Sequence, residues 1–225
     1  MGSHMIRELC EPDCPLHPVQ IKCIDLKHTY PIDNEIVEYY YADIRDFNSI
    51  ADIFNDVDIV FHMASLVDWG THTQDEVLSI NVEGTKNVLN ACQNAGVNVL
   101  VYTSSLDAVF TGKKVCYMDE TTPYPKHHPN AYCRSKAEAE KLVRSADGNG
   151  LCTICLRPAD IYGEGDPFHI GSLIEMAEKG VYVRIGDGSS KCCHVYVGNV
   201  AAAHIQAATA LANGRLSLGG TVYLI

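Results

Sequence analysis

The sequence predicts an α/β fold built on a doubly wound parallel sheet. Three observations carry the prediction. Short apolar runs alternate with amphipathic segments of helical period along all 225 residues. Strands and helices are not segregated, which is the pattern of a parallel sheet covered on both faces. Polar or small residues follow five successive apolar runs, at the strand ends where such sheets collect ligands. Hydrophobic content of 47% and charged content of 20% fit a globular chain of one large domain.

Met1-Gly2-Ser3-His4-Met5 reads as an expression-vector scar and is set aside, leaving residues 6–225 as the domain. Ile6 to Leu9 reads as the end of a helix, and the Pro-rich Glu11 to Pro18 as a connection. Val19 to Ile24 is a short apolar strand closed by Asp25. Val37 to Tyr41 is a second strand, leading through Ala42-Asp43-Ile44-Arg45-Asp46 into a helix from about Asn48 to Asn55. Val57 to His62 is a third strand. From Gln74 to Ala95, Val77, Leu78, Ile80, Val82, Val88, Leu89 and Ala91 recur at helical spacing, and Gly96 stops the helix where a left-handed residue is wanted. Asn98 to Thr103 is a strand, and Asn130 is the expected cap of the helix bearing Tyr132 and Lys136. Cys152 to Leu156 is a strand ended by Arg157-Pro158. A helix near Ile170 to Lys179, a strand near Tyr182 to Ile185, a helix from about Asn199 to Leu211 and a strand from Thr221 to Leu224 complete the chain. Residues of about 163–195 and 215–225 are assigned to a small substrate-binding region.

A formal net charge of −11 with no basic run argues against nucleic-acid binding, because neutralising phosphates needs clustered Lys and Arg. No apolar stretch is long enough to span a bilayer, and no signal peptide is evident. Ten scattered cysteines without a secretion signal favour reduced thiols in the cytoplasm. Cys152 and Cys155 lie an odd number of positions apart on a strand, so their sulfurs face opposite sides. Cys10, Cys14 and His17 lack a fourth ligand at metal-binding spacing, and no metal site is assigned.

The chemistry concentrates between Val101 and Lys136. Tyr132 and Lys136 lie one helical turn apart on one face. A nearby cation favours the phenolate and brings the phenol closer to use as a proton carrier. Ser105 supplies a neutral donor for an oxygen on which charge develops. At the strand ends, Asp25 is placed to accept ribose hydroxyls, which suits NAD because a 2'-phosphate would repel it. Asp43, Ala64 and Thr103 close the next strands, and Arg157-Pro158 another.

Ala42-Asp43-Ile44-Arg45-Asp46, Val60-Phe61-His62-Met63-Ala64-Ser65, Asn81-Val82-Glu83-Gly84-Thr85, Tyr102-Thr103-Ser104-Ser105, Tyr132-Cys133-Arg134-Ser135-Lys136, Leu156-Arg157-Pro158-Ala159-Asp160-Ile161-Tyr162-Gly163 and Tyr196-Val197-Gly198-Asn199-Val200-Ala201 occur in one order. In that order the chain resembles an extended short-chain dehydrogenase/reductase, and most closely the 3β-hydroxysteroid dehydrogenase group. The resemblance implies a Rossmann-like fold and NAD as cofactor. It makes Ser105, Tyr132 and Lys136 the catalytic triad, with Ser104 the competing serine. Asp25, Asp43, Ile44, Ala64, Asn81, Thr103, Lys136, Pro158 and Ile161 would line the cofactor. The implied partner is a hydrophobic secondary alcohol or ketone, and a homodimer is compatible with it. Asn81 has a plainer reading, a helical asparagine bonded to neighbouring backbone.

One family feature is missing. The glycine-rich strand and turn that receive a pyrophosphate do not precede Ile6, so the sheet is expected to be truncated at its N-terminal strand. That strand is central, and its neighbours must re-pair, be filled from elsewhere, or leave backbone groups unpaired. Weak or absent dinucleotide binding is the expectation. Three readings follow: a 3β-hydroxysteroid-type dehydrogenase, another member of the superfamily such as a nucleotide-sugar epimerase, a dehydratase or a flavonoid-type reductase, and a non-catalytic binding variant.

Overall fold

Val99-Leu100-Val101-Tyr102-Thr103 is apolar on both faces apart from its last residue, which suits a strand covered on both sides, and all five residues are buried. The computed structural model describes residues 1–68, 70–114, 117–166, 170–180, 187–189 and 191–225. In it this segment is β4 (Val99–Thr103), set between β3 (Ile59–His62) and β5 (Cys152–Arg157), with β8 (Thr221–Leu224) beyond β5. Every pairing is parallel, with Phe61 opposite Val101 and Val101 opposite Ile154. Alternation sends Val99 and Val101 to one face, against Ala207, Ala208 and Leu211 of α7 (Val197–Ala212). Leu100 and Tyr102 go to the other, against α4 (Gly84–Ala95) and α5 (Ala131–Ser145). Cys152 and Cys155 divide between the same two faces.

β1 (Ile21–Asp25) and β2 (Val37–Tyr41) form a separate parallel pair. Among the described residues no backbone hydrogen bond joins β1 to β3. The two strands nevertheless share their surroundings. Ile24 and Val60 border one apolar cluster, while Cys23 and Phe61 border another. Among the described residues, the expected direct pairing of β1 with β3 is therefore not formed. The strands facing that position are mostly half-buried, in contrast with β4.

α1 (Gly2–Cys10) corrects the exclusion of residues 1–5 from the fold. Met5 is buried with Leu9 against Ala201 and Ile205 of α7, and the His4 ring bonds to the Glu164 carbonyl at 2.8 Å. The segment expected as one helix from Gln74 to Ala95 is three pieces: α3 (Gln74–Leu78), a π turn over Ser79–Glu83, and α4. A capping box starts it, with the Glu76 amide donating to Thr73 Oγ1 and the Thr73 amide to Glu76 Oε2. Gly96 ends it at φ 71°. At Gly84 an added Cβ would lie 2.6 Å from Ile44 Cδ1, so glycine lets the 42–46 loop close on this helix. The helix expected near 48–55 is α2 (Phe47–Ile50) continued by a 3₁₀ turn over Ala51–Phe54.

Asn130 caps α5 by accepting from the Cys133 amide at 2.8 Å. β6 (Asp160–Tyr162) and β7 (His194–Tyr196) pair in parallel and were missed in the sequence, because three residues carry no readable period. α6 (Ile170–Glu178) forms as expected, while the strand near 182–185 lies outside the described residues. No helix of the described residues is long and apolar enough to cross a membrane.

Candidate active site

The end of β4 and one face of α5 meet residue by residue. On α5, Tyr132, Lys136 and Glu140 follow at four-residue steps and so share a face. Lys136 Nζ donates to the Thr103 carbonyl at 3.0 Å, and Ser104 Oγ donates to Glu140 Oε2 at 2.5 Å. The side chains of Ser105 and Ser65 lie close enough to the Tyr132 phenol to favour its ionised form. Lys136 Nζ sits 5.2 Å from the Tyr102 ring centre and 5.9 Å from that of Tyr132. Tyr132, Lys136 and Ser105 are thus brought together, as expected.

Ser104 is committed to a buried carboxylate. It is 2% exposed and spends its hydroxyl proton on Glu140, which Arg157 also grips through Nε at 2.9 Å and Nη2 at 2.6 Å. Tyr124 adds a third donor to the same carboxylate at 2.5 Å. Ser105 instead starts the 3₁₀ turn of Leu106–Val109, accepting from the Asp107 amide and donating to Asp107 Oδ2, both at 3.1 Å.

The electrostatics reverse one expectation. Lys136 was expected to pull the Tyr132 phenol below its ordinary pKa. Burial, and then the Asp107 carboxylate, push it well up, and the nearby Ser105 and Ser65 side chains only partly offset this. Burial also lowers Lys136 to about 8, against Asp107 and Glu140, which favour its charge. A desolvated ammonium lying nearly 6 Å from the ring centre does not outweigh loss of water around the phenol. Asp107 is itself raised by burial, with the Ser105 hydrogen bond opposing. His62, bonded to Thr85 Oγ1 at 2.8 Å, is held neutral by burial, its pKa lowered to about 3.

The residues expected to line a dinucleotide divide into two sets. Asp25 ends β1 exposed; its backbone carbonyl accepts from the Ala42 amide at 3.3 Å, and its carboxylate accepts through Oδ1 from the Lys27 amide at 3.2 Å, with Oδ2 on the exposed side chain. Ala64 is exposed at the end of β3, and Ile161 is half-buried in β6. Asp43 is committed to Arg45, accepting from its amide, Nε and Nη2, with the ion pair at 2.5 Å. Ile44 packs over Gly84. Asn81 is spent on structure. It accepts from the Leu66 amide at 2.7 Å and donates to the Leu66 carbonyl and Ser135 Oγ, both at 2.9 Å. The Thr103 side chain points away from Lys136, to His204 of α7 at 2.7 Å. Pro158 is buried and offers its carbonyl to the Leu106 amide at 3.2 Å.

Four residues of this site were not found in the sequence. Glu140 had a usable signal, since it stands one turn beyond Lys136 on the same face. Asp107 stands two residues after Ser105, a spacing that suits a turn cap. His204 and Tyr124 had no signal, because only the tertiary fold brings them to β4 and Glu140.

The family model described as 3-beta hydroxysteroid dehydrogenase/isomerase family matches residues 1–225. The chain is 41% identical over 181 residues to 3beta-hydroxysteroid-dehydrogenase/decarboxylase isoform 2 of Arabidopsis thaliana, covering 79% of this chain and 32% of that protein. It is 38% identical over 222 residues to short-chain dehydrogenase/reductase family 42E member 1 of Bos taurus, covering 92% and 56%. Among solved structures, MoeE5 in complex with UDP-glucose and NAD superposes with a TM-score of 0.80 at 26% identity, covering 100% of this chain and 72% of that one. The chain spans from about a third to three fifths of the length of the curated relatives it matches first.

Proposed function

The chain belongs to the 3-beta hydroxysteroid dehydrogenase/isomerase family, and from that premise we propose an NAD-dependent oxidoreductase acting on a secondary alcohol of a steroid-like substrate. One observation carries the reading: Ser105, Tyr132 and Lys136 converge at the end of β4, with the lysine fixed by the Thr103 carbonyl. Asp25 and Ala64 at the strand ends, together with Lys136, are the residues available to hold the dinucleotide, and Asp25 favours NAD. When bound, NAD supplies the hydride acceptor.

In the oxidising direction Tyr132, as phenolate, takes the alcohol proton at Oη. Ser105 holds the substrate oxygen through Oγ, and Lys136 stabilises the phenolate as it accepts the proton. In the reducing direction the same phenol donates. Its raised pKa keeps it protonated at neutral pH, which suits the donor role in the free protein. Water exclusion comes from the buried surroundings of Lys136, Ser104 and Tyr102.

Turnover of NAD with a 3β-hydroxysteroid is expected, and a fall of about 10²-fold or more in Tyr132→Phe. Absence of turnover in both proteins overturns the reading. Among the described residues β1 and β3 do not pair with each other, which supports weak dinucleotide affinity. Saturable NAD binding at micromolar concentration by calorimetry would contradict that part. The likeness to a protein solved with UDP-glucose and NAD supports a second reading, a nucleotide-sugar enzyme. Turnover with a UDP-sugar and none with a steroid alcohol would select it.

A further inference from the structure

The last residues of β4 are gripped from both faces of the sheet. On one face, Thr103 Oγ1 lies 2.7 Å from His204 Nε2, and His204 Nδ1 lies 2.7 Å from the Val200 carbonyl. That carbonyl can only accept, so Nδ1 carries the proton, Nε2 is the acceptor and the Thr103 hydroxyl donates. His204 is fully buried in α7, and burial holds it neutral, with its pKa lowered to about 4. On the other face, Ser104 Oγ donates to Glu140, whose carboxylate is held by Arg157 and Tyr124. Strand alternation forces this two-sided arrangement, because adjacent side chains point to opposite faces. The same short run carries the contacts of the chemistry, with the Thr103 carbonyl on Lys136 and the Ser105 hydroxyl at Tyr132.

We propose that His204 with Thr103, and Glu140 with Ser104, form a two-sided clamp that fixes the 103–105 backbone so that the Thr103 carbonyl and Ser105 hold Lys136 and Tyr132 in register. These four are positioning residues. Two of the four, His204 and Glu140, come from helices on opposite faces of the sheet and grip the last residue of β4 and the residue after it. The clamp rests on the reading of Ser105, Tyr132 and Lys136 as the reacting groups. A carbonyl accepting from an ammonium favours its charged form, so a slackened backbone weakens that bond and lowers the Lys136 pKa. The other groups that face Lys136 are Asp107 from the 3₁₀ turn, Glu140 from its own helix, His62 from β3, and the rings of Tyr102 and Tyr132. Substitution at Thr103 or Ser104 changes none of their charges.

The test titrates Lys136 in the full chain by NMR of ε-¹³C-lysine, with the signal assigned by Lys136→Arg, so neither cofactor nor substrate is needed. Thr103→Val and Ser104→Ala are each expected to lower the midpoint by about half a unit or more, and Thr103→Ser to restore it. Thr153→Val is the control. Thr153 is equally buried and its hydroxyl donates to the Val143 carbonyl at 2.9 Å, away from Lys136, so its loss is expected to lower Tm without moving the midpoint. A midpoint that stays put in both clamp variants while Tm falls as in Thr153→Val overturns the clamp. Where the parent protein turns over, kcat is expected to fall about tenfold in Thr103→Val with KM within about twofold. A matched fall in kcat for Thr153→Val also counts against it. Absence of turnover in the parent would sink the proposed reaction and leave the titration to decide the clamp alone.

Discussion

Two buried histidines make the folded protein sensitive to mild acid. His62 is 4% exposed and His204 is fully buried, and burial lowers their pKa values to about 3 and about 4 from an ordinary 6.5. Between those values and 6.5 the unfolded chain binds protons that the folded chain refuses. Stability is therefore fully present above about pH 6.5 and falls as the pH drops through the window. At pH 5 each histidine costs about 2 kcal/mol relative to pH 7.5, or about 4 kcal/mol together. That is a large part of the 5–15 kcal/mol typical of a domain, roughly. Asp107, raised by burial, works in the opposite direction but in a lower window, starting from its ordinary carboxylate value. Asp43 and Asp68 are held below their ordinary values by hydrogen bonds with Arg45 and His72, and their contribution is lost only at still lower pH. Urea unfolding at pH 7.5 and pH 5 measures the difference, with a midpoint shift of about 1–2 M expected. His62→Gln and His204→Gln are each expected to remove about half of the pH dependence, whatever they do to stability at pH 7.5. Equal midpoints at the two pH values in the parent, or a dependence untouched by both substitutions, would refute the reasoning.

Other perturbations have equally definite expectations. Glu140→Ala leaves Arg157 buried without its carboxylate and is expected to cost about 3–5 kcal/mol in urea unfolding, whereas Glu140→Leu combined with Arg157→Met is expected to recover most of that. Gly84→Ala drives a Cβ into Ile44 and is expected to cost about 1–3 kcal/mol, with Ile44→Ala relieving part of the added cost in a double-mutant cycle. Asp107→Asn removes the charge that opposes ionisation of Tyr132 and supports that of Lys136. Both pKa values are expected to fall, as read from ¹³C-labelled tyrosine and lysine, and unchanged titrations would remove Asp107 from the site.

The boundaries of most elements were legible because they rest on local physics. Val37–Tyr41 and Thr221–Leu224 were placed to the residue, Gly96 ends its helix in the left-handed region, and Asn130 caps α5. Each depends on a conformational preference or a capping bond within a few residues. β6 and β7 escaped notice because each is three residues long and is stabilised by the other, more than thirty positions away. The π turn over Ser79–Glu83 escaped for a related reason. The wider turn puts Asn81 where it bridges the Leu66 backbone and Ser135, contacts 15 and 54 residues distant.

The candidate site divides in the same way. Tyr132, Lys136 and Ser105 could be named from the sequence, since helical spacing and strand-end position are local properties. Residues 2–5 could not be placed, because only contact with α7 makes Met5 a core residue. That Ser104 donates to Glu140, itself held by Arg157, was likewise beyond the reach of local spacing. The sign of the phenol's pKa shift was misjudged for the same reason. A neighbouring cation can be read from spacing, but desolvation depends on everything packed around the ring, and that is known only once the chain is folded. By itself, then, the sequence determined most of the strands and helices and singled out Ser105, Tyr132 and Lys136 as candidates. The tertiary structure decided the direction of their pKa shifts, the partner of each serine, and what holds the end of β4 between two helices, because burial and long-range hydrogen bonds exist only in the assembled fold.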